Sequence, residues 1–516
     1  MVQRTWQKKM KQKIFSLKEI TKILPKLKSK KKKIVLCHGV FDLLHIGHIK
    51  HFEQSKSFGD ILIVSITKDQ FINKGPNRPA FNEQLRSKTL ASLSVIDYVV
   101  LAPSKTAIEV IKYLKPDIYA KGIEYKDTNN DLTGKIRNET NAVKKIKGKI
   151  IFTDDITFSS SKLLNSQTQI HSDDQQKIIN KIKRNFNLNS IYYLIEKLNN
   201  LKSLVFGEAI IDQYIMCEAL GRSGKDPILM FDEIESKNFA GGSIAIANNL
   251  SDFYKEIELY CSIGEEKEYL NFIKRETKKR VKSSFFYKKN SPTIIKKKYL
   301  DNITKNKLFG TYNINENFIS QKEEENIIKR LNKALQNKDV VILSDYGHGF
   351  VTDRIAKFLC KNSKFLIINA QSNAANTGFS SIKKYKNFDA LIINERELRE
   401  ELRNKDEKIE ILMKQISKKH LIKNIIATRG SEGSILYDFK KNKFHYCVAF
   451  ANNIIDKIGS GDVMMSVIAG FLKLKCDPGL ALFISSIAAG KSVESLANSS
   501  PVNKISLKKS LSHILN

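Results

Sequence analysis

The chain lacks the long apolar runs and cysteine patterns that mark membrane-spanning and secreted proteins. It has no apolar run of about 18 residues or more, so a membrane span is not expected. Its opening, MVQRTWQKKM, has no apolar segment of the kind that a signal peptide needs. Six cysteines stand singly, without a Cys-x-x-Cys pair. That pattern favours reduced thiols in a cytoplasmic protein over disulfides or a zinc site.

Acidic residues are scarce beside basic ones, with 54 Asp and Glu against 88 Lys and Arg, for a formal net charge of +34. Such a charge suits a nucleic-acid partner. The lysines, however, are spread along the whole chain without aromatic residues between them. A basic surface also attracts phosphorylated small molecules. The charge alone therefore decides little, and we expect no specific nucleic acid and no membrane as partners.

The first third of the chain alternates short apolar runs with helical patterns. After an amphipathic helix within 12–30, expected to break near Pro25, helices are predicted at 45–58, 83–94 and 107–114. This alternation predicts a parallel, doubly wound α/β sheet, as in Rossmann-like domains. Strands are predicted at 34–40, 61–67, 98–102, 118–122 and 149–154.

A polar segment, NSQTQIHSDDQQ, then interrupts the pattern and favours a linker, followed by a helical stretch, SIYYLIEKLNNLK. A second α/β pattern runs to the C-terminus. The predicted organisation is one domain over 1–165, a linker over 166–200 and a second domain over 201–516. Strands of the second domain are predicted at 203–212, 340–346, 365–370, 390–394 and 424–430.

The run HGVFDLLHIGH at 38–48 follows a predicted strand and opens a helix. His45 and His48 are three residues apart, so they share one face of the first turn. Free backbone N–H groups also point there, which makes a receptor for a phosphate that gains negative charge. Gly39 permits backbone conformations in the turn after the strand that other residues disfavour. Phe41 lies in the same nucleotide-binding run. The alternatives are two surface histidines or a metal-binding pair.

Three further features of the first domain suit phosphate binding. The hydroxyl groups of Ser159, Ser160 and Ser161 open a helix, where pyrophosphate would bind, or they simply cap it. Lys74 neutralises phosphate or is an ordinary loop lysine. Arg86 reaches phosphate or makes a structural ion pair.

The run HGVFDLLHIGH resembles the signature of the cytidylyltransferase-like nucleotidyltransferase superfamily. In the order and spacing of its motifs, the first domain resembles the adenylyltransferase domain of bifunctional heptose 7-phosphate kinase / heptose 1-phosphate adenylyltransferases. It resembles glycerol-3-phosphate cytidylyltransferases less closely. Glu124 departs from that family's Lys-Gly-x-Asp-Tyr run. The likeness continues through Lys74-Gly75, Arg78-Pro79, Arg86, Val95-Ile96-Asp97, Lys121-Gly122-Ile123-Glu124-Tyr125 and 159–164.

His-Ile-Gly-His is also a signature of class I aminoacyl-tRNA synthetases. Those enzymes need a second, lysine-rich loop of the Lys-Met-Ser-Lys-Ser kind and an anticodon-binding domain. Neither is visible in this sequence.

A second helix near the C-terminus opens with Gly459-Ser460-Gly461-Asp462. Two glycines at a helix start let backbone N–H groups face an anion. Asp462 would lie beside a transferring phosphoryl group and accept the proton of an attacking sugar hydroxyl. The alternative is a helix capped by an aspartate after a turn.

The run from Asp456 to Asp462 resembles the Asp-Thr-x-Gly-Ala-Gly-Asp signature of ribokinase-like (PfkB-type) sugar kinases, which implies that fold with a small β lid. The chain departs from that family at Lys457 and Ile458, near Ala245 and at His348. The resemblance implies sugar binding by Asp212, Gly241 and Gly242, organisation of Mg²⁺ and phosphate by Asn394 and Glu397, and ATP binding by Thr428, Gly430 and Gly433.

Together the two resemblances imply a bifunctional enzyme in which a sugar kinase uses MgATP and a nucleotidyltransferase uses ATP or CTP. The product would be an ADP-heptose-like sugar for surface polysaccharide, and the enzyme a homodimer. In the resembling heptose enzymes the kinase comes first, so the domain order here is reversed. Two alternatives stay open: a glycerol-3-phosphate-type cytidylyltransferase with a non-catalytic kinase-like domain, and a basic nucleic-acid-binding protein.

Overall fold

The computed structural model describes residues 13–29, 31–72, 79–122, 135–153, 171–371, 375–376, 381–451 and 454–515. The chain divides into two compact units, residues 1–170 and His171–Leu515. None of the helices within the described ranges is long and apolar enough to cross a membrane.

The first unit is built on a parallel sheet with strand order β1-β4-β3-β2-β5-β6. Its central strand β3, with the sequence ILIVSIT, is buried along its whole length because helices cover both faces of the sheet. The predicted strands are all present, and the sheet gains an edge strand, β1, that the sequence analysis missed. The strands are β1 (Ile14–Ser16), β2 (Ile34–Gly39), β3 (Ile61–Thr67), β4 (Tyr98–Ala102), β5 (Ile118–Gly122) and β6 (Lys149–Thr153).

The first helix of this unit, α1 (Leu17–Ser29), runs unbroken through Pro25, so the predicted break there is wrong. Leu17, Ile20 and Leu24 are buried on the core side, and Pro25 is exposed on the other. Packing of the apolar face before and after Pro25 holds the helix in spite of the lost hydrogen bond. The other helices are α2 (Ile46–Ser57), α3 (Glu83–Ala91), α4 (Ile108–Leu114) and α5 (Lys135–Lys145).

The second unit has a main sheet with strand order β10-β9-β7-β13-β14-β15-β16-β17-β18, in which the strands from β10 to β16 are parallel and the last two are antiparallel. Buried apolar side chains line both faces of the sheet and form two cores. The strands are β7 (Lys202–Arg222), β9 (Glu256–Gly264), β10 (Val281–Lys288), β13 (Val340–Asp345), β14 (Leu366–Ala370), β15 (Phe388–Asn394), β16 (Ile422–Thr428), β17 (Ser434–Asp438) and β18 (Lys443–Cys447).

Strand β7 is 21 residues long and belongs to two sheets. Its first part pairs with β9 and β13 in the main sheet, and its second part pairs with β8 (Leu229–Gly241) and β11 (Ile294–Asp301). With β12 (Lys307–Asn313), which pairs with β11, these strands form a smaller four-stranded sheet, the lid. Residues near the point where β7 passes from one sheet to the other therefore lie between the main sheet and the lid.

Residues 171–200, within the predicted linker, are mainly helical and pack on the second unit, and the sequence SIYYLIEKLNNLK had predicted the helix in their second half. Ile179, Ile182, Ile191 and Ile195 are buried in the core of that unit. The helices of the unit are α6 (Asp173–Asn185), α7 (Leu188–Lys197), α8 (Gly242–Leu250), α9 (Leu270–Glu276), α10 (Gln321–Leu335), α11 (Asp353–Asn362), α12 (Glu395–Leu402), α13 (Ile409–His420), α14 (Ser460–Lys473), α15 (Pro478–Ser492) and α16 (Lys504–Leu515).

Candidate active sites

The first candidate site lies where β2 ends and α2 begins. His45 is the N-cap of α2, and its Nδ1 accepts a hydrogen bond from the Gly47 backbone N–H at 3.1 Å. Because Nδ1 accepts, the proton of the neutral ring resides on Nε2. His45 therefore keeps one N–H donor for a ligand.

His45 and His48 form a close pair of imidazoles. Their ring centroids are 3.9 Å apart and their planes are inclined by 36°. Burial lowers the pKa of His45 from its ordinary value, so its ring is neutral at neutral pH. The pair is placed to stabilise charge on a phosphate by hydrogen bonding, and this role stays a prediction.

The other two histidines of the run at 38–51 have a different role. His38 Nδ1 lies 2.7 Å from the Ser65 hydroxyl of β3, and His51 Nδ1 lies 2.8 Å from the Thr153 hydroxyl of β6. These contacts tie β2 and α2 to neighbouring strands. The number of histidines in the run therefore overstates the number available to a ligand.

Gly39 and Phe41 shape the turn between β2 and α2. Phe41 has a φ of 47°, in the left-handed region that side chains rarely adopt. Its ring lies against Gly39, and its centroid is 5.6 Å from that of His48 in an edge-to-face contact. Phe41 thus supports the imidazole pair from behind, while direct contact of Gly39 and Phe41 with nucleotide stays a prediction.

Arg86 has a structural position, which is the second of the two roles considered for it. Its side chain is fully buried and pairs with Asp69 at 2.6 Å. The guanidinium also donates to the carbonyl oxygens of Phe81, Val40 and Thr67, at 2.9, 2.5 and 2.9 Å. Because these bonds occupy most of its donors, we correct the expectation that Arg86 binds phosphate. It fixes the loops that follow β2 and β3.

A buried polar cluster beside this site was missed by the sequence analysis. Lys121 Nζ lies 3.3 Å from Glu139 Oε2, which also accepts from the Tyr119 hydroxyl at 2.8 Å. Burial raises the pKa of Glu139, but the charge of Lys121 and three hydrogen-bonding or charged neighbours outweigh it and lower the pKa overall. Glu139 lies on α5, outside any recognisable motif, so no local sequence signal could have found it.

The remaining predicted residues of the first site are Lys74, Ser159, Ser160 and Ser161. They lie outside the described residues. Their roles stay predictions.

The second candidate site is centred on the start of α14. Gly459 precedes the helix with a φ of 82°, and no side chain caps the first turn. A Cβ at Gly459 would lie 2.1 Å from Asn498 Oδ1, so both conformation and space require glycine. The backbone N–H groups of this turn therefore face an approaching anion without competition from a cap.

Asp462 lies in the first turn of α14 and is buried. Its Oδ1 accepts a hydrogen bond from the Tyr346 hydroxyl at 3.5 Å. Burial, and after it the charge of Asp212, raise the pKa of Asp462 to about 7. A carboxyl group with that pKa is suited to accept a proton near neutral pH.

Asp212 lies on β7 just beyond the point where the strand enters the lid. Its Oδ1 is 2.6 Å from Lys298 Nζ of β11. Its Oδ2 lies so close to Gly241 that a Cβ there would be 2.4 Å away. Gly242, with a φ of 58°, opens α8. The structure thus brings the three predicted sugar-binding residues together.

Glu208, at the end of the main-sheet part of β7, and Asp345, at the carboxyl end of β13, form a buried acidic pair. Glu208 accepts from the Tyr346 backbone N–H at 3.1 Å, and Asp345 pairs with Lys384 at 2.7 Å. Burial, and after it the charge of Asp345, raise the pKa of Glu208 to about 7. Neither residue was predicted to have a role from the sequence.

Two basic residues of this region were not predicted as site residues. Lys296 of β11 has its Nζ 5.4 Å from the Tyr346 ring centroid. Burial lowers its pKa, although the charges of Asp212 and Asp462 oppose the shift. His348 is 1% exposed, and burial, Lys296 and Lys288 lower its pKa to about 4, so it is neutral. The departure from the sugar-kinase family at His348 thus places a neutral, buried imidazole at this position.

A cavity of about 860 Å³ opens beside the start of α14. Its walls come from the turn after β16, the loop after β18, the start of α12 and the first turn of α14. Among the residues that line it are the predicted nucleotide and Mg²⁺ residues Thr428, Gly430, Gly433, Gly459, Gly461, Asn394 and Glu397.

Asn394 and Glu397 form a reciprocal capping box at the start of α12. The Glu397 N–H donates to Asn394 Oδ1 at 2.8 Å, and the Asn394 N–H donates to Glu397 Oε2 at 3.0 Å. Amide and carboxylate oxygens at a nucleotide cavity are the donors that Mg²⁺ prefers, mostly through its waters. Within the described part of the chain no group of three or more His, Cys, Asp or Glu could hold a metal. The pair therefore fits a Mg²⁺ carried mainly by nucleotide phosphates.

Two family models match the chain. The model described as pfkB family carbohydrate kinase matches residues 200–500. The model described as cytidylyltransferase-like matches residues 36–197. The matches follow each other along the chain in the order expected from the two resemblances.

Curated relatives named bifunctional protein HldE are similar to part of this chain. The protein of Aliarcobacter butzleri is 40% identical over 139 residues, which is 26% of this chain and 29% of that protein. The protein of Helicobacter pylori strain J99 is 36% identical over 157 residues, 30% of this chain and 32% of that protein. The matched region thus spans about three tenths of these relatives' length.

Solved kinase structures are similar to the larger part of the chain. Arabidopsis thaliana ribokinase complexed with ribose and ATP has a TM-score of 0.47 and 19% identity, and covers 61% of this chain and 99% of its own. Phosphofructokinase-2 of Escherichia coli, in complex with substrates and products, has a TM-score of 0.49 and 10% identity, with 61% and 100% covered.

Proposed function

The chain belongs to the pfkB family of carbohydrate kinases, and we propose that it is a bifunctional enzyme of nucleotide-sugar synthesis. In this proposal the second unit phosphorylates a sugar or sugar phosphate with MgATP. The first unit couples a sugar 1-phosphate to a nucleotide and releases pyrophosphate. An ADP-heptose-like sugar for surface polysaccharide is the product that the similarity to HldE proteins favours.

The observation that best supports the kinase activity is the position of Asp462. It follows Gly461, which lines the nucleotide cavity, and its carboxyl group interacts electrostatically with Asp212 of the sugar site. A base between a nucleotide and a sugar is what phosphoryl transfer to a hydroxyl group requires. The raised pKa of Asp462 suits that role near pH 7.

In the kinase reaction, Asp462 accepts the proton of the sugar hydroxyl while the hydroxyl oxygen bonds to the γ-phosphorus of ATP. The bond from that phosphorus to the β–γ bridging oxygen breaks, and ADP leaves. Backbone N–H groups at the start of α14 stabilise the phosphate charge. Mg²⁺, when bound, neutralises charge on the nucleotide phosphates, and Asn394 and Glu397 would hold it through water.

In the transferase reaction, a phosphate oxygen of the sugar 1-phosphate bonds to the α-phosphorus of a nucleoside triphosphate. The bond to the α–β bridging oxygen breaks, and pyrophosphate leaves. His45 Nε2–H donates to the phosphate that gains charge, and the neighbouring imidazole of His48 acts with it. Lys74 would neutralise charge on the pyrophosphate. The hydroxyl groups of Ser159, Ser160 and Ser161 would bind it at the helix start.

We propose a homodimer formed through the outer face of the lid. Large apolar side chains are exposed on strands β8 and β12, with Leu229 at 69%, Ile234 at 49% and Phe309 at 47% exposure. A second copy of the same face would bury them. We place both activities in the cytoplasm, where unpaired thiols such as the six cysteines of this chain persist.

The alternative is a cytidylyltransferase of the glycerol-3-phosphate type with a kinase-like domain that binds a ligand without turnover. The departures at Lys457, Ile458 and His348 favour it. It predicts pyrophosphate release with CTP and glycerol 3-phosphate, and no sugar-dependent use of ATP.

One set of assays on the full chain separates the two proposals. Pyrophosphate release is measured with ATP and with CTP against a panel of sugar 1-phosphates and glycerol 3-phosphate. ADP release is measured with MgATP against heptoses, other sugars and their terminal phosphates. Pyrophosphate from ATP with a sugar 1-phosphate, together with sugar-dependent ADP release, is the expected result. ADP release with none of the sugars would overturn the bifunctional proposal.

A further inference from the structure

Helix α6 begins at the wall of the nucleotide cavity, although it precedes the first strand of the kinase unit. Ser172, Asp174 and Gln175 all line the cavity, beside the turn after β16 and the start of α14. No motif of the sequence points to these residues, because they lie in a polar segment with the composition of a linker. They are thus an addition to the site that the kinase motifs describe.

Gln175 joins the start of α6 to the loop that follows β18. Its Nε2 donates to the Ala449 carbonyl oxygen at 2.7 Å. Its Oε1 accepts from the Ser172 backbone N–H at 3.0 Å, which is one half of the capping box of α6. One side chain therefore performs two separable tasks, with its carbonyl oxygen in the cap and its amide group on the loop.

The loop held by Gln175 is itself a wall of the cavity. Val448, Ala449, Phe450 and Ala451 line it. The Phe450 ring packs edge-to-face on Phe483 of α15, with centroids 5.5 Å apart. The Phe450 ring also contacts the His171 ring, with centroids 6.2 Å apart, and the loop backbone packs close to Gly433 and Gly490. The Gln175 hydrogen bond is the contact that ties the loop to the side chain of an α6 residue.

Helix α6 is firmly attached, so Gln175 can act as a fixed point. Ile179 and Ile182 of this helix are buried in the core of the second unit. The start of the helix is capped by Ser172, whose hydroxyl accepts from the Gln175 backbone N–H at 3.3 Å. A side chain on an anchored and capped helix holds its partner loop more rigidly than a loop side chain would.

We propose that Gln175 is a positioning residue of the kinase's nucleotide site, which holds the loop at 448–451 in the conformation that binds ATP. The inference rests on the proposed kinase function, since it takes the cavity as the ATP site. It predicts that the tether contributes to nucleotide affinity and leaves the sugar site, built on Asp212 and Gly241, unaffected.

Gln175→Glu separates the two tasks of the side chain. Glutamate at this position preserves the capping box, because it still accepts from the Ser172 N–H. It cannot donate to the Ala449 carbonyl oxygen, which then faces a carboxylate. Loss of one neutral hydrogen bond predicts an increase of about three- to tenfold in the KM for ATP, with kcat and the KM for sugar little changed.

Gln176→Ala is the matched control, since Gln176 is the next residue of the same helix and its amide donates to Asn180 Oδ1 at 3.0 Å. Calorimetric titration of the full chain with a non-hydrolysable ATP analogue gives the affinity directly, and thermal unfolding checks that each variant is folded. Gln175→Ala, which loses both tasks, should weaken ATP binding at least as much as Gln175→Glu.

Two results would overturn the inference in distinguishable ways. If the unaltered chain binds the analogue and both Gln175 variants bind it as tightly as Gln176→Ala does, the tether has no part in nucleotide binding and the proposed kinase function is unaffected. If the unaltered chain does not bind the analogue at all, the kinase assignment itself fails, and this inference with it.

Discussion

The starts of α2 and α14 offer a comparison of two proposed phosphate sites in one chain. Helix α2 is capped by a side chain, because His45 Nδ1 takes the Gly47 N–H. Helix α14 has no side-chain cap after Gly459, so its first N–H groups stay available. In the first site the imidazoles would donate hydrogen bonds to the phosphate, whereas in the second site the backbone N–H groups would do so.

The titratable groups of the two sites are an imidazole and a carboxyl group, and burial shifts the pKa of both. Burial lowers the pKa of His45 and raises the pKa of Asp462 to about 7. In both cases burial favours the neutral form of the group over its charged form. For His45 this yields a hydrogen-bond donor without charge, and for Asp462 it yields a base that is half protonated at neutral pH. One physical effect thus prepares one site to stabilise charge and the other to move a proton.

The largest expected effect comes from removing the base. Asp462→Asn should lower the kinase rate by about 10²–10⁴-fold, because the amide cannot accept a proton, and should leave pyrophosphate release unchanged. Both rates are measured on the same preparation. Asp477→Asn is the control, since Asp477 caps α15 and asparagine caps equally well. An Asp462→Asn variant with full kinase activity would refute the assigned base.

The next effect concerns the imidazole pair. His45→Asn should lower the rate of pyrophosphate release by about 10²–10³-fold, as expected for the loss of one transition-state donor. Asparagine keeps an acceptor for the cap of α2, so the helix is preserved. Kinase activity should not change. His51→Gln is the control on the same helix, because His51 Nδ1 lies 2.8 Å from the Thr153 hydroxyl and His51 has no part in the proposed reaction; an equal loss there would contradict the assignment.

The pH dependence should separate the two sites without any mutation. Asp462 must be deprotonated to act, and its pKa is about 7, so kinase kcat/KM should fall about tenfold per unit below pH 7. The pKa of His45 is lowered from its ordinary value, so the neutral donor persists below pH 7. Pyrophosphate release should therefore stay level between about pH 8 and 7 and decline only at lower pH. Identical profiles for the two reactions would contradict the comparison.

Strands β2 to β6 of the first sheet and β13 to β16 of the main sheet were predictable because parallel strands buried on both faces are continuous apolar runs. Strand β3 is an example, with the sequence ILIVSIT. Strands β9, β10, β17 and β18 of the main sheet were not among the predicted strands. The lid strands escaped prediction because one of their faces is exposed and their sequences mix lysine with apolar residues, as in KLFGTYN of β12. Strand β1 was missed because three residues are too few to show a period.

The candidate sites were predictable where a residue lies in a short local motif at a helix start, as His45 and Asp462 do. Residues that act from distant elements were not. Glu139, Lys296 and Gln175 reach their sites from α5, β11 and α6, so only the fold brings them there. For Arg86 the error is the opposite one. Its position in a motif suggested that it binds phosphate, whereas in the structure its guanidinium donates hydrogen bonds to three backbone carbonyl oxygens.

The smallest expected effect tests whether the capping box of α12 also serves Mg²⁺. The chain has a matched box on α10, where Ser320 and Glu323 exchange the same hydrogen bonds as Asn394 and Glu397. Of these two boxes, the one on α12 lines the cavity and the one on α10 does not. Glutamine preserves a capping box, so Glu397→Gln and Glu323→Gln each remove a charge and keep the helix start.

If Glu397 organises Mg²⁺ through water, Glu397→Gln should raise the Mg²⁺ concentration for half-maximal kinase activity by about three- to tenfold, whereas Glu323→Gln should leave it unchanged. The transferase in the same preparations should respond to neither variant, because both boxes belong to the second unit. Equal Mg²⁺ dependence in the two variants would mean that the Asn394–Glu397 pair only caps its helix, and the kinase site would then owe its metal entirely to the phosphates of the nucleotide.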